Sequence, residues 1–196
     1  FLQQFDTLQI AMLYLSKALA RRPYMAVGRN LSYHKSLFMN NKGFIAHYNI
    51  PSGDDDLFVQ QVANKKNTAV EISKESITFS EAKPTFNSWI RQKRRHLSTG
   101  KHYRSGIQLQ LALYSFTQLS FYATMVWLFF LPVHWVFPVA FFAFRYINQL
   151  VVFGKSASKL NEKFLFVFTP FAELFFIIFN PLLLVLNVLT KPSKWM

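Results

Sequence analysis

From Ile107 to Leu131 the chain carries no formal charge, and that stretch limits the fold more than any other feature. A helix of about 20 apolar residues crosses roughly 30 Å of hydrocarbon, so the run is ample for one span. Two further apolar stretches follow, Trp135–Phe153 and Phe164–Leu189. Pro132-Val133-His134 predicts a tight turn between the first two, and Gly154–Lys163, with three lysines, a polar loop between the second and third. Residues 1–106 are different in kind, with sixteen Lys and Arg against seven Asp and Glu, whereas residues 107–196 hold six against two. The expectation is a soluble half joined to a membrane half of about three hydrophobic segments (107–131, 135–153 and 164–189). The absence of cysteine excludes disulfides, thiolate metal sites and cysteine nucleophiles. A net charge of +13 on a chain with membrane spans points to a surface facing anionic lipid and away from nucleic acid as a partner.

The basic residues between Arg91 and Arg104 place the soluble half in the cytoplasm by the positive-inside rule, and Lys155, Lys159 and Lys163 agree after two crossings. A fully crossing third segment leaves Lys191 and Lys194 outside, a mild conflict. Residues 84–104 read as a basic amphipathic interfacial helix and linker, with Trp89, Ile90 and Leu97 on an apolar edge. Arg145 and Glu173 are the formal charges well inside the apolar stretches. Each costs about 2.5–3.5 kcal/mol or more if left alone there. Their depths below one membrane face match, so the expectation is a structural Arg145–Glu173 ion pair.

Residues 1–83 read as α/β. Phe1–Ala20 carries a helical stripe that stops at Arg21-Arg22-Pro23, and further helices are predicted over Leu31–Phe38 and from Asp54 to about Lys66. Tyr24–Val27, Thr68–Ile72 and Ser76–Phe79 have strand character. Within this half Asp54, Asp55 and Asp56 stand together behind Gly53 and hold a third of the nine acids in the chain. Acids in the first turn of a helix are explained by the helix dipole, worth roughly 0.3–1 kcal/mol each. On the triplet alone that reading comes first, and a carboxylate held as a general base is the sharper alternative, which the rest of the chain brings forward.

Four pieces together resemble the C-terminal half of a membrane-bound family 2 glycosyltransferase of the GT-A group, which includes cellulose and hyaluronan synthases. Phe5-Asp6-Thr7-Leu8-Gln9 resembles the helix after that family's metal-binding Asp-x-Asp. Met25-Ala26-Val27-Gly28-Arg29-Asn30-Leu31-Ser32-Tyr33-His34-Lys35 is similar to its segment beside the acceptor. Gly53-Asp54-Asp55-Asp56-Leu57 resembles the motif carrying the catalytic base, and Gln92-Lys93-Arg94-Arg95-His96 the Gln-x-x-Arg-Trp motif, with His96 in place of Trp. The resemblance implies a partial GT-A fold followed by an interfacial helix and transmembrane helices. It implies an inverting transfer from a nucleotide-sugar donor to a lipid-linked or polymeric acceptor, in contact with membrane lipids, at the cytoplasmic face of a bacterial membrane. Asp55 is then the base, with Asp54 the alternate. Gln92, Arg95, Arg94, His96, Gly28, Asn30 and Tyr33 are expected on the donor and acceptor side. A divalent cation (Mg or Mn) is implied for the full-length enzyme, with its ligands expected upstream of Phe1 and none in this fragment, which alone should be inactive. A non-catalytic scaffold with a lipid-binding helix, or a transporter bundle with Arg145 and Glu173 on its path, are the competing readings.

Overall fold

A computed structural model describes residues 1–50, 52–162 and 166–190. Among them are seven α-helices: α1 (Leu2–Leu19), α2 (Lys35–Asn40), α3 (Asp54–Val62), α4 (Phe86–Thr99), α5 (Ser105–Leu128), α6 (Val136–Lys159) and α7 (Thr169–Leu189). Helix α1 ends as its sequence predicts. Arg21 takes a left-handed φ of 58°, Arg22 N–H donates to Lys17 O at 2.8 Å and Arg21 N–H to Ala18 O at 2.9 Å, which together close a Schellman cap before Pro23. Helix α4 starts on a capping box: Thr85 Oγ1 accepts from Ser88 N–H at 3.2 Å and Ser88 Oγ accepts from Thr85 N–H at 3.3 Å.

No strand forms among the described residues, so the α/β expectation for residues 1–83 is corrected to an all-helical fold. Val27 has strand-like dihedrals (φ −108°, ψ 114°), but a strand is defined by a ladder partner, and none lies beside Tyr24–Val27. Thr68–Ile72 and Ser76–Phe79 are irregular chain on either side of a 3-10 turn at Lys74–Ser76. Phe79 is exposed. β-branched residues favour strands by packing on a sheet face, and here there is no face to pack on. Helix α3 stops at Val62, short of the predicted Lys66, because Asn67 Oδ1 accepts from Asn64 N–H (2.7 Å) and Asn64 Oδ1 from Lys66 N–H (2.8 Å). Such side chain–backbone bonds compete with helix continuation. The predicted helix over Leu31–Phe38 begins four residues later, at Lys35.

The core lies where α1, α4, α6 and α7 meet. Phe5 of α1 stacks on Phe153 of α6 (5.4 Å) and Phe176 of α7 (5.5 Å). Trp89 of α4 stacks on Phe179 (5.6 Å) and meets Phe176 edge-on (6.1 Å). Helix α1 therefore packs against the apolar helices of the second half, and the buried face of α4 looks into the protein.

Helices α6 and α7 are long and apolar enough to cross a membrane, and only 11% and 28% of their apolar windows are buried inside the protein. The core helix of a soluble protein is mostly buried, whereas α6 presents Phe137, Phe141, Phe144 and Ile147 outward and α7 presents Phe171, Ile178 and Val188. Helix α5 matches α6 in length, but Gln108, Gln110, Ser115, Thr117, Gln118 and Ser120 dilute its apolar character. Phe164 and Leu165, which open the third predicted stretch, lie outside the described residues, as do Lys163 and the tail carrying Lys191 and Lys194.

Candidate active site

The acid motif sits on a backbone turn that excludes any side chain. Gly53 caps α3 with φ +81°, and a Cβ there would lie 2.1 Å from Thr99 Cγ2 at the end of α4. Both the dihedral and the contact require glycine. Thr99, fully buried, donates from Oγ1 to Ser52 O at 3.0 Å. The residues after α4 complete the dock: Tyr103 O–H donates to Asp56 Oδ2 at 2.5 Å and Arg104 N–H to Gln60 Oε1 at 3.0 Å. The motif at Gly53 and the helix carrying Gln92 to His96 are thus two sides of one joint.

Within the first turn of α3 the three carboxylates diverge. Asp54 is exposed and Asp55 half-buried. Asp55 Oδ2 accepts from Gly28 N–H at 2.7 Å and Oδ1 from Asp56 N–H at 3.0 Å. A Cβ on Gly28 would come within 3.2 Å of Asp55 Oδ2, so the absence of a side chain at Gly28 is what lets the carboxylate close on the loop. Asp56 is buried beneath Tyr103 and beside Tyr24. Burial is the main cause that pushes its carboxyl up to about 7. The Tyr103 hydroxyl opposes the rise, Asp55 and Asp54 add to it, and the Ala26 N–H pulls weakly the other way without reaching hydrogen-bond geometry. Burial, with the Asp56 charge beside them, also raises Tyr24 to about 12 and raises Tyr103 further.

Helix α4 sorts its polar residues by face. Lys93 is buried, pairs with Asp6 of α1 at 2.6 Å and lies 4.9 Å above the Phe176 ring. Burial lowers Lys93 and raises Asp6, and their mutual attraction opposes both shifts. Arg94 is committed to α7: its guanidinium donates to Asn187 Oδ1 (2.8 Å), Leu186 O (3.1 Å), Thr190 O (2.6 Å) and Thr190 Oγ1 (2.8 Å), and Asn187 Nδ2 returns a bond to Arg94 O (2.8 Å). This is a C-terminal helix clamp. Gln92 and Arg95 are half-buried and His96 is open to solvent. The His96 ring is nonetheless crowded by protein. Desolvation and then Arg95 hold its pKa below the usual range, Asp55 pulls it back up, and Lys93 and Arg29 lower it further. Asp55, Arg29 and Arg95 are therefore close enough to act on the charge of His96.

The remaining predicted residues divide. Asn30 is exposed at the loop that holds Asp55, and Tyr33, also largely exposed, leans its ring on Phe38 (5.5 Å) and Phe58 (5.0 Å). Neither the cavity of about 550 Å³ beside Lys74 nor the one of about 110 Å³ beside Tyr24 includes Asp55. Among the described residues no three His, Asp or Glu side chains converge on a cation position, and the acid triplet, split between Gly28 and Tyr103, does not make one. Asp56, Tyr103 and Thr99 shape the site and had no distinguishing sequence signal, since their partners lie tens of residues away.

Apart from this site, the apolar helices enclose a polar cluster. Arg145 Nη2 lies 2.6 Å from Glu173 Oε1. Glu173 also accepts from Gln118 Nε2 (2.7 Å), Tyr122 O–H (2.8 Å) and Gln149 Nε2 (3.2 Å). Arg145 covers the Phe121 ring at 4.4 Å. Gln118 and Gln9 of α1 both donate to the Tyr114 hydroxyl, at 2.9 and 3.2 Å. The structure brings Arg145 and Glu173 together and adds α5 and α1 to them.

An oriented carboxylate next to an open patch of Arg and His defines a class of site suited to taking a proton from a hydroxyl while cations stabilise a departing anion. The model of glycosyl transferase family group 2 matches residues 2–188, and the chain belongs to that family. It is a glycosyltransferase, which entails a nucleotide-sugar donor and an acceptor. No curated protein and no solved structure matches the chain.

Proposed function

We propose that the chain carries the acceptor side of an inverting glycosyltransferase working at the cytoplasmic face of a membrane, on a lipid-linked or polymeric acceptor. The observation that carries this reading is the position of Asp55, fixed by the Gly28 N–H and within electrostatic reach of His96, which Arg95 also acts on. Asp55 accepts the proton of the acceptor hydroxyl as its oxygen bonds to the anomeric carbon. The bond from that carbon to the nucleoside diphosphate breaks on the opposite face, and the electron pair leaves on the diphosphate. Arg95 supports that charge, Gln92 orients by hydrogen bonding, and His96 lines the approach where the family has Trp. Arg94, spent on α7, positions α4. The divalent cation that the family resemblance implies has no ligand set among the described residues. The outward apolar faces of α6 and α7 support a membrane setting, with α5, Ser105–Leu128, as a third, more polar crossing.

The experiment is turnover of a panel of nucleotide sugars by the full-length protein in membranes, wild type against Asp55→Asn. Loss of general-base catalysis predicts a fall in turnover of about 10²–10⁴ with donor binding retained. Unchanged turnover in that variant removes Asp55 from the mechanism.

A further inference from the structure

Three lysines meet at a cavity that the transfer reaction does not use. It measures about 550 Å³ and lies between the turn carrying Ser73 and Lys74 and the end of α6, where Lys155, Ser158 and Lys159 line it. The two walls come from parts of the chain some eighty residues apart, so folding alone gathers these cations. Among the described residues none of the three lysines has an ion-pair partner. Glu75, next to Lys74, and Glu162, three residues after Lys159, are not among the residues lining the cavity, and Glu71 is turned onto its own loop, with Oε1 accepting from Ser73 N–H at 2.6 Å. Cations gathered at one cavity with no carboxylate in its lining repel one another, a cost that a bound anion removes. The height of the cavity selects the anion. Lys155 and Lys159 follow directly on the apolar run of α6, a helix long enough to cross a membrane, and that is the level of lipid headgroups. The two sit one helical turn apart, and Ser73 and Ser158 add hydroxyl donors.

We propose that this cavity binds the phosphate of an anionic membrane lipid, with Lys74, Lys155 and Lys159 as its charge partners, so that one lipid joins the Ser73–Lys74 turn to the end of α6. The site rests on the membrane placement of α6 proposed above.

The test uses the full chain reconstituted in phosphatidylcholine vesicles, with spin-labelled phosphatidylglycerol or phosphatidylcholine as the probe. The expected wild-type result is a several-fold preference for phosphatidylglycerol among motionally restricted lipids. Lys74→Gln/Lys155→Gln/Lys159→Gln should lower it about fivefold or more, the scale for a basic side chain at an anionic surface. Lys35→Gln/Lys42→Gln/Lys65→Gln, which removes the same charge elsewhere, should keep it. Equal preference in the wild type and the first variant, or equal loss in both variants, overturns the site. Complete displacement of the labelled lipid by excess inorganic phosphate overturns the lipid assignment in favour of a soluble anion. Protein stripped from neutral vesicles by a carbonate wash overturns the membrane placement instead, a failure visible without any anionic lipid.

Discussion

Glu173 and Asp56 are both buried carboxylates, and each accepts a hydrogen bond from a tyrosine hydroxyl. Their surroundings differ in the partners that face them. Glu173 has Arg145 at 2.6 Å and two glutamine amides as further donors. Among the described residues Asp56 has no cation against it and its Oδ1 lacks a partner, and its neighbours Asp55 and Asp54 are themselves acidic. Burial therefore comes with a cation partner in one place and, in the other, pushes the carboxyl up to about 7. Burial sets the stakes, and the partners supplied by neighbouring helices set the outcome.

The largest effect expected is on breaking the Glu173 cluster. Arg145→Leu leaves an uncompensated buried charge and should cost about 3–5 kcal/mol, read as a loss of thermal stability in detergent or vesicles. Arg145→Leu combined with Glu173→Leu should cost less than Arg145→Leu alone; additive losses would mean the two side chains are not energetically coupled.

At Asp56 the contrast is sharpened by pH. Its folded pKa, about 7, lies above the ordinary 3.8, so between these values the folded chain holds a proton that the unfolded chain has released. The resulting stabilisation is fully present below about pH 4 and is lost as pH rises to about 7, on the order of 4 kcal/mol at most. Asp56→Asn should remove that slope, leaving the variant at least as stable as wild type at pH 8. Taking the difference between variant and wild type also cancels His96, whose lowered pKa works with the opposite sign. A variant curve parallel to that of wild type from pH 4 to 8 would show that Asp56 is ionised throughout.

Removing the tyrosine hydroxyls gives smaller changes. Tyr103→Phe withdraws the one hydrogen bond to Asp56 Oδ2 and should cost about 1–3 kcal/mol, with the titration moving to still higher pH. Tyr122→Phe should cost only about 0.5–1.5 kcal/mol, because Gln118, Gln149 and Arg145 remain on Glu173. Equal losses from the two substitutions would erase the contrast between the sites.

What could be read from the sequence follows the range of the interactions involved. The stop at Arg21-Arg22-Pro23, the helix starting at Asp54 and the long apolar helices are local patterns, and each has its counterpart in the structure. The strands expected at Tyr24–Val27, Thr68–Ile72 and Ser76–Phe79 failed because a strand needs a partner that propensity cannot supply. Arg145 and Glu173 could be matched in advance because both sit at one depth on consecutive helices. The commitment of Arg94 to Asn187 and Thr190, of Lys93 to Asp6, and of Tyr103 to Asp56 could not, since a basic run gives no sign of which member turns inward. The acid triplet was visible as a motif, whereas the bond from Gly28 N–H that orients Asp55 was not.

Arg94 and Thr99 fix α4 at two points, one on α7 and one on Gly53. They stand five positions apart on the helix, a rise of about 7.5 Å. A single inserted residue between them would turn Thr99 by about 100° about the helix axis and swing it off Gly53. The spacing from Arg94 to Thr99 thus tolerates substitutions but no change of length, while the irregular chain between the Lys74–Ser76 turn and Lys83 is less constrained. Descendants of this sequence should differ in length before α4 and never within its last two turns.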